Sequence, residues 1–443
     1  MQNNRVYSQE LIDRVVDEYK ITDLEHATIG QVLLLASRLE ELTGIPFIRM
    51  DQGVPGLEPC RIGTEAEKQA LDTDIPAIYP AAEGIPELKE AGSRFVKAFL
   101  NVDVSAEACI PVTGSVAGSF GSFVACTQCD PQKNTILFID PGFPIQKSQL
   151  KILGIPHEQF DIYRFRGDKL RDKLESYLKK ENIAGIIYSN PNNPAWISLT
   201  EQELSVVGEL ATRYGAVVLE DLAYFGMDFR TYFGRPFEPP YIPTVARYTD
   251  NYILMLSSSK IFSYAGQRAA LLCVSDALFH RRFPALGERY AGAGIFGPTL
   301  IGSILYMITS GITHSTQFGY AAMLQAATEG RFDFVEVTSE YARRAHRMKE
   351  LFEKHGFHVV YDKDIDRAIS DGFFFTIGYE GLSCGELMRE LLYYGISSIS
   401  LSTTGSEQQG IRACCSRMSD DLYEVLDERL RAFRLDHMPE AGK

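Results

Sequence analysis

Lys260 stands in the stretch Ser257-Ser258-Ser259-Lys260-Ile261-Phe262-Ser263-Tyr264-Ala265-Gly266-Gln267-Arg268, with hydroxyl groups beside it and a guanidinium a short loop away. A lysine amine condenses with an aldehyde, while hydroxyls and an arginine fork neutralise a phosphate carried on the same small molecule. These residue types therefore suit covalent capture of a phosphorylated aldehyde, and pyridoxal 5'-phosphate is the candidate cofactor. The run Tyr252 to Leu256 just upstream is apolar, which predicts a buried strand that ends where this chemistry begins.

Other apolar runs end in polar groups in the same way. Ala184 to Tyr188 leads into Asn190-Pro191-Asn192-Asn193-Pro194, and Ala216 to Leu219 leads into Asp221 and Tyr224. Ligands of open α/β sheets collect at such strand ends. A buried carboxylate at Asp221 suits a partner for a pyridine nitrogen, because it keeps that nitrogen protonated and the ring electron-withdrawing. Thr135 to Ile139 runs into Asp140-Pro141-Gly142-Phe143-Pro144, where Phe143 offers a flat face. Thr113-Gly114-Ser115 reads as a small-residue loop opening a helix, so backbone N–H groups can approach a phosphate there. Near the C-terminus, Gly410 to Ser416 is a short apolar strand carrying Arg412, which is costly to bury without an anion.

In chain order, Tyr79, Gly114, Phe143, Asn193, Asp221, Lys260, Arg268 and Arg412 resemble the class I/II aminotransferase family of fold-type I pyridoxal-phosphate enzymes, over roughly positions 50 to 430. The motifs that carry the likeness are S-x-x-K followed by G-x-R, and the asparagine-proline segment, which is similar to the family's N-P-x-N-P-T-G. The resemblance implies that Asn193 and Tyr224 bond the cofactor's phenolic oxygen and that Phe143 stacks on its ring. It implies that Thr113, Gly114, Ser115, Ser257 and Arg268 hold the phosphate, and that Arg412, Asn193 and the backbone at Gly53 receive the substrate carboxylate. Arg417 is a competing choice for Arg412. It further implies that Tyr79 is lent to a neighbouring subunit's phosphate, which makes the protein a homodimer with shared active sites. One departure is clear: Ala195 and Trp196, the single tryptophan, stand where the family has threonine and glycine. Trp196 is either substrate-shaping or a packing residue.

The chain of 443 residues, 45% hydrophobic, is longer than one typical core holds and predicts more than one lobe. Predicted helices at 9–20, 28–43, 84–100, 115–127, 200–214, 331–355, 383–394 and 420–433 alternate in the middle of the chain with strands at 135–139, 184–189, 216–220, 252–257 and 270–274. The fold class expected is α/β, a mainly parallel sheet of the seven-stranded type flanked by helices, with a smaller α+β lobe. The expected organisation is an N-terminal arm with part of the small domain over 1–70, a large cofactor-binding domain over 71–315 and a small domain over 316–443. Thr200 with Glu203, and Ser383 with Glu386, read as capping boxes.

The formal charge of −14 disfavours nucleic acid and anionic membranes as partners and leaves small metabolites, which the resemblance implies are amino acids and 2-oxo acids. Eight cysteines without a leading apolar region point to a reduced, cytoplasmic protein, and Cys126 and Cys129 read as the end of a helix with no metal to hold. The leading reading is transamination, with Lys260 as tether and base and with Asp221 and Tyr224 tuning the cofactor. An electron sink does not by itself choose which bond breaks, so a β/γ-lyase or decarboxylase on the same apparatus is the alternative, and a non-catalytic cofactor-sensing domain is a third.

Overall fold

The computed structural model describes residues 4–437, which divide into two compact units. One comprises residues 57–192 and 198–338, the other the chain up to Gly56, residues 193–197 and the chain from Ser339.

The first of these is built on a seven-stranded sheet. Its strands are β1 (Cys109–Val112), β2 (Thr135–Asp140), β3 (His157–Asp161), β4 (Ile183–Ser189), β5 (Val217–Leu222), β6 (Tyr252–Ser257) and β7 (Ala270–Val274), in the order β1-β7-β6-β5-β4-β2-β3. Strands β3, β2, β4, β5 and β6 pair in parallel, and β7 alone runs against its neighbours. Every residue of β2, β4, β5, β6 and β7 is buried, which is why each reads as a continuous apolar run instead of an alternating one. Helices α1 (Gly114–Thr127), α2 (Pro144–Leu153) and α3 (Glu201–Tyr214) connect successive strands. The Thr200/Glu203 capping box opens α3, and Gly215, at φ 61°, closes it. Helix α4 (His314–Thr328) packs on helices Arg61–Leu71 and Pro86–Leu100 in the same unit.

The other unit holds a four-stranded antiparallel sheet of β8 (Phe357–Val359), β9 (Phe374–Tyr379), β10 (Ile399–Ser400) and β11 (Ile411–Cys414), in the order β10-β11-β9-β8. Helices α5 (Glu340–Lys354), α6 (Cys384–Tyr393) and α7 (Leu422–His437) accompany it, α6 starting on the Ser383/Glu386 capping box. The helix expected over 331–355 is interrupted: Phe334–Thr338 and α5 are separate elements. The Thr338 hydroxyl donates to the carbonyls of Phe334 and Val335, competing with the backbone ladder at the point where the chain passes from one unit to the other.

Candidate active site

Strand register brings the predicted residues of the sheet unit to one edge. Val112 pairs with Ala270 and Ala270 with Ser257, while Leu256 pairs with Leu222 and Asp221 with Ser189. The carboxyl ends of β1, β6, β5 and β4 are thus neighbours, and the loops that leave them carry Gly114, Lys260, Tyr224 and Asn190.

Lys260 lies on the short helix Ser258–Ile261, which Ser257 caps by accepting the Ser259 N–H at 3.2 Å. The loop from Lys260 to Arg268 is closed on itself. Ser258 Oγ donates to the Ala269 carbonyl at 2.7 Å, and the Tyr264 N–H reaches the Ser258 carbonyl at 3.3 Å. Tyr264 is fixed in turn by a short hydrogen bond to the buried carboxylate of Glu67, which also accepts from Thr316 Oγ1 at 2.8 Å.

Arg268 ends this loop in the left-handed region, at φ 54°, with Nη1 donating to the Ala265 carbonyl. Its Nη2 lies so close to Gly114 that a Cβ there would sit 2.4 Å away, and Gly114 itself has φ 75°. Only glycine meets both conditions. Gly114 is the first residue of α1, so the guanidinium sits against the positive end of a helix, a place that favours an anion. The Ser115 hydroxyl is buried there with no hydrogen-bond partner. A cradle closed by glycine, a cation, a helix N-terminus and an orphaned hydroxyl together fit a phosphate group.

Asp221 is 6% exposed at the end of β5. Burial pushes its carboxyl up to about 6, opposed by the Ala223 N–H on Oδ1 at 3.1 Å and by Gln146 Nε2 on Oδ2 at 3.0 Å. A cationic ring nitrogen placed at this carboxylate would restore its full charge. Tyr224 is buried beside it in sequence. Phe143 is the N-cap of α2, and Pro144 at the first helical position sets the direction of the turn. The loops after β2 and β4 are tied together: Asn192 Nδ2 donates to the Pro141 carbonyl at 2.7 Å. Asn190 accepts the Leu199 N–H at 3.1 Å, which closes the asparagine-proline segment at its base.

Gln146 carries no signal in the sequence, because one glutamine in a helix has no spacing or motif that marks it. Glu220 went unmarked for the same reason. It is fully buried one residue before Asp221 and accepts from Tyr188 Oη at 3.2 Å, Thr244 Oγ1 at 2.5 Å and the Val245 N–H at 3.2 Å.

The remaining predicted residues belong to the other unit. Arg412, on β11, is 1% exposed, and its Nη2 donates to the Asp51 carbonyl at 2.6 Å. Nη1 reaches Asn193 Oδ1 at 3.5 Å, and the guanidinium lies 4.6 Å over the Phe374 ring. Arg417, by contrast, is exposed. Gly53 is also placed here: a Cβ on it would meet Phe374 Cζ at 3.1 Å. Trp196 is a packing residue. Its ring is 1% exposed, edge-on to Phe374 and pressed against Gly372, and its backbone holds φ 63°, the conformation a glycine would take most easily.

One predicted residue stands apart from this geometry. Tyr79 is 90% exposed. Arg281 lines a separate cavity of about 520 Å³ with Cys126, Cys129, Ala184 and Val217, at the amino ends of β4 and β5, opposite the Lys260 edge. Burial pushes the Cys126 thiol up to about 12 and that of Cys129 further, so neither is poised as a thiolate.

The family model described as aminotransferase class I and II matches residues 45–430. An aspartate aminotransferase of Pyrococcus horikoshii is 24% identical over 250 residues, 55% of this chain and 59% of its own length. An asparagine–oxo-acid transaminase of Streptococcus mutans is 24% identical over 324 residues, 72% of this chain and 74% of its own. The match thus spans less than two thirds of the P. horikoshii relative. Among solved structures, an alanine aminotransferase from Pyrococcus furiosus superposes with a TM-score of 0.75 at 20% identity, covering 95% of this chain and 99% of that one. A double mutant of the Thermus thermophilus aspartate aminotransferase gives 0.74 at 16%, covering 94% and 98%. Members of this family work with pyridoxal phosphate, and the cradle at Gly114, Ser115 and Arg268, the buried Asp221 and the strand-end Lys260 match that requirement. The chain belongs to the class I and II aminotransferases.

Proposed function

We propose that the protein is a pyridoxal-phosphate-dependent transaminase that moves the amino group of an L-amino acid to a 2-oxo acid. The observation that carries this reading is the loop from Lys260 to Arg268, whose arginine closes on Gly114 at the head of α1. One chain segment supplies both an amine for the cofactor's aldehyde and a cation for its phosphate. When bound, the cofactor supplies an electron sink for charge developing at the substrate's α carbon.

The protein's own residues do the rest. Arg268, the α1 N–H groups, Thr113, Ser115 and Ser257 hold the phosphate. Asp221 holds a proton on the ring nitrogen, Tyr224 and Asn193 donate to the ring oxygen, and Phe143 covers a ring face. Arg412, in the other unit, serves the substrate carboxylate through its planar fork. Lys260 Nζ takes the substrate's α proton, for which it must be neutral when the substrate is in place.

The same reading extends to assembly and location. Tyr79 is exposed and followed by Pro80, and the exposed Tyr306, Met307 and Ile308 offer an apolar surface, both of which support a homodimer in which Tyr79 serves the neighbouring subunit. All eight cysteines are free thiols, which supports the cytoplasm, and no helix among the described residues is long and apolar enough to cross a membrane.

The test is a half-reaction screen. Each amino acid is added to cofactor-loaded protein, the visible band is followed, and the products are identified. The expected result is a 2-oxo acid with the amino group retained on the protein's cofactor, and no reaction in Lys260→Ala. Ammonia or carbon dioxide released in step with substrate loss would replace transamination by lyase or decarboxylase chemistry.

A further inference from the structure

Gln146 sits in the first turn of α2 and is 6% exposed. Two of its groups are committed. The backbone N–H donates to the Phe143 carbonyl at 3.1 Å, and the side-chain Nε2 donates to Asp221 Oδ2 at 3.0 Å. One residue therefore links the aromatic ring offered to the cofactor's face with the carboxylate offered to its ring nitrogen.

The neighbouring cation is turned away from this carboxylate. Lys147, the next residue, pairs with Asp140 Oδ2 at 2.5 Å and lies 5.3 Å from the Phe138 ring. Both donors to Asp221 are consequently neutral, Gln146 and the Ala223 N–H. A neutral donor fixes the direction of a buried carboxylate without supplying the charge that a protonated ring nitrogen is to supply. A lysine or arginine at the same place would compete for that role.

We propose that Gln146 is a positioning residue for the proposed transaminase reaction, holding the Asp221 carboxylate in register with Phe143 so that the cofactor ring is gripped at its edge and its face together. The inference rests on the cofactor reading above. It concerns a residue that makes no bond to substrate and acts through Asp221.

The experiment measures pyridoxal-phosphate affinity by equilibrium dialysis and records the bound cofactor's absorption spectrum, for the full-length protein and for Gln146→Leu and Gln146→Glu. Gln146→Leu keeps the volume and removes the donor, so affinity falls roughly tenfold or more and the visible band shifts, since a hydrogen bond to a charged group is lost. Gln146→Glu is nearly isosteric. Its carboxyl donates to Asp221 only when protonated, so the affinity approaches that of the parent at pH 5.5 and drops at pH 8, beyond any change in the parent over the same range. A residue that merely fills space would give no such pH-dependent rescue, and this second variant decides the matter if Gln146→Leu does not fold. Unchanged affinity and spectrum in Gln146→Leu, or a Gln146→Glu profile parallel to the parent's, overturns the inference while leaving the cofactor reading intact. A parent protein that binds no pyridoxal phosphate sinks both.

Discussion

Replacing Gly372 with alanine tests how Trp196 came to occupy a position suited to glycine. A methyl group on Gly372 would lie 2.0 Å from Trp196 Cε2, 2.1 Å from Nε1 and 2.2 Å from Cζ2. Carbon contacts settle at about 3.5–4.0 Å, so the whole indole has to move by about 1.5 Å. It has nowhere to go, being 1% exposed and set edge-on to Phe374. Overpacking a core costs about 1–3 kcal/mol, and three ring atoms in collision place Gly372→Ala at the upper end, about 3 kcal/mol. Trp196→Gly forfeits about 3–5 kcal/mol of packing and recovers about 1 kcal/mol from the left-handed backbone, a net loss of about 2–4 kcal/mol. In the double variant the new methyl faces the space the ring has left, so the cost of Gly372→Ala falls to about zero and the coupling is about 3 kcal/mol. Urea unfolding followed by far-ultraviolet circular dichroism measures all four proteins. Trp196 is the single tryptophan, so its emission also reports ring displacement in Gly372→Ala, with a red shift expected. The reasoning fails if Gly372→Ala costs as much without the indole as with it.

Two further changes probe the sheet unit. Gly114→Ala adds a methyl 2.4 Å from Arg268 Nη2 at a residue with φ 75°, so the arginine is displaced and about 1–2 kcal/mol of backbone strain appears. Cofactor retention after gel filtration should fall at least several-fold while the circular dichroism spectrum is kept. Glu220→Gln addresses pH. Burial pushes the Glu220 carboxyl up from 4.5 to about 7, so the folded protein binds this proton more tightly than the unfolded chain. Its contribution to stability is complete below the unfolded value and is lost as pH rises toward 7, about 3 kcal/mol in all. Glu220→Gln should flatten the urea midpoint between pH 5 and pH 8, and an unchanged slope would show that Glu220 is not what titrates.

Much of this architecture is legible in the sequence because strands buried on both faces show as unbroken apolar runs: β2, β4, β5, β6 and β7 all do so, and each delivers or receives a residue of the site. The edge strands do not. His157–Asp161 is partly exposed and polar, and Cys109–Val112 contains Pro111, which an edge tolerates and a pattern search rejects. Helix α4 is hidden for the opposite reason. It is buried nearly all round, so no polar face supplies a period. Among the proposed site residues, Lys260, Asp221, Arg268 and Arg412 are legible because charge or amine chemistry in or at the end of an apolar run is conspicuous. Gln146, Glu220 and Glu67 are not, since a side chain that serves another side chain is defined by the packing that brings the two together.

The reversal of β7 has a consequence for how such an apparatus survives drift. Because β6 runs outward to Lys260 and β7 runs back from Arg268, the proposed anchor points for the two ends of one small molecule are set by a single excursion between adjacent paired strands. Their separation is calibrated by local chain length alone. Substitutions elsewhere can reshape helices, edges and surfaces without altering that gauge, and a fold that keeps it can diverge widely in everything around it.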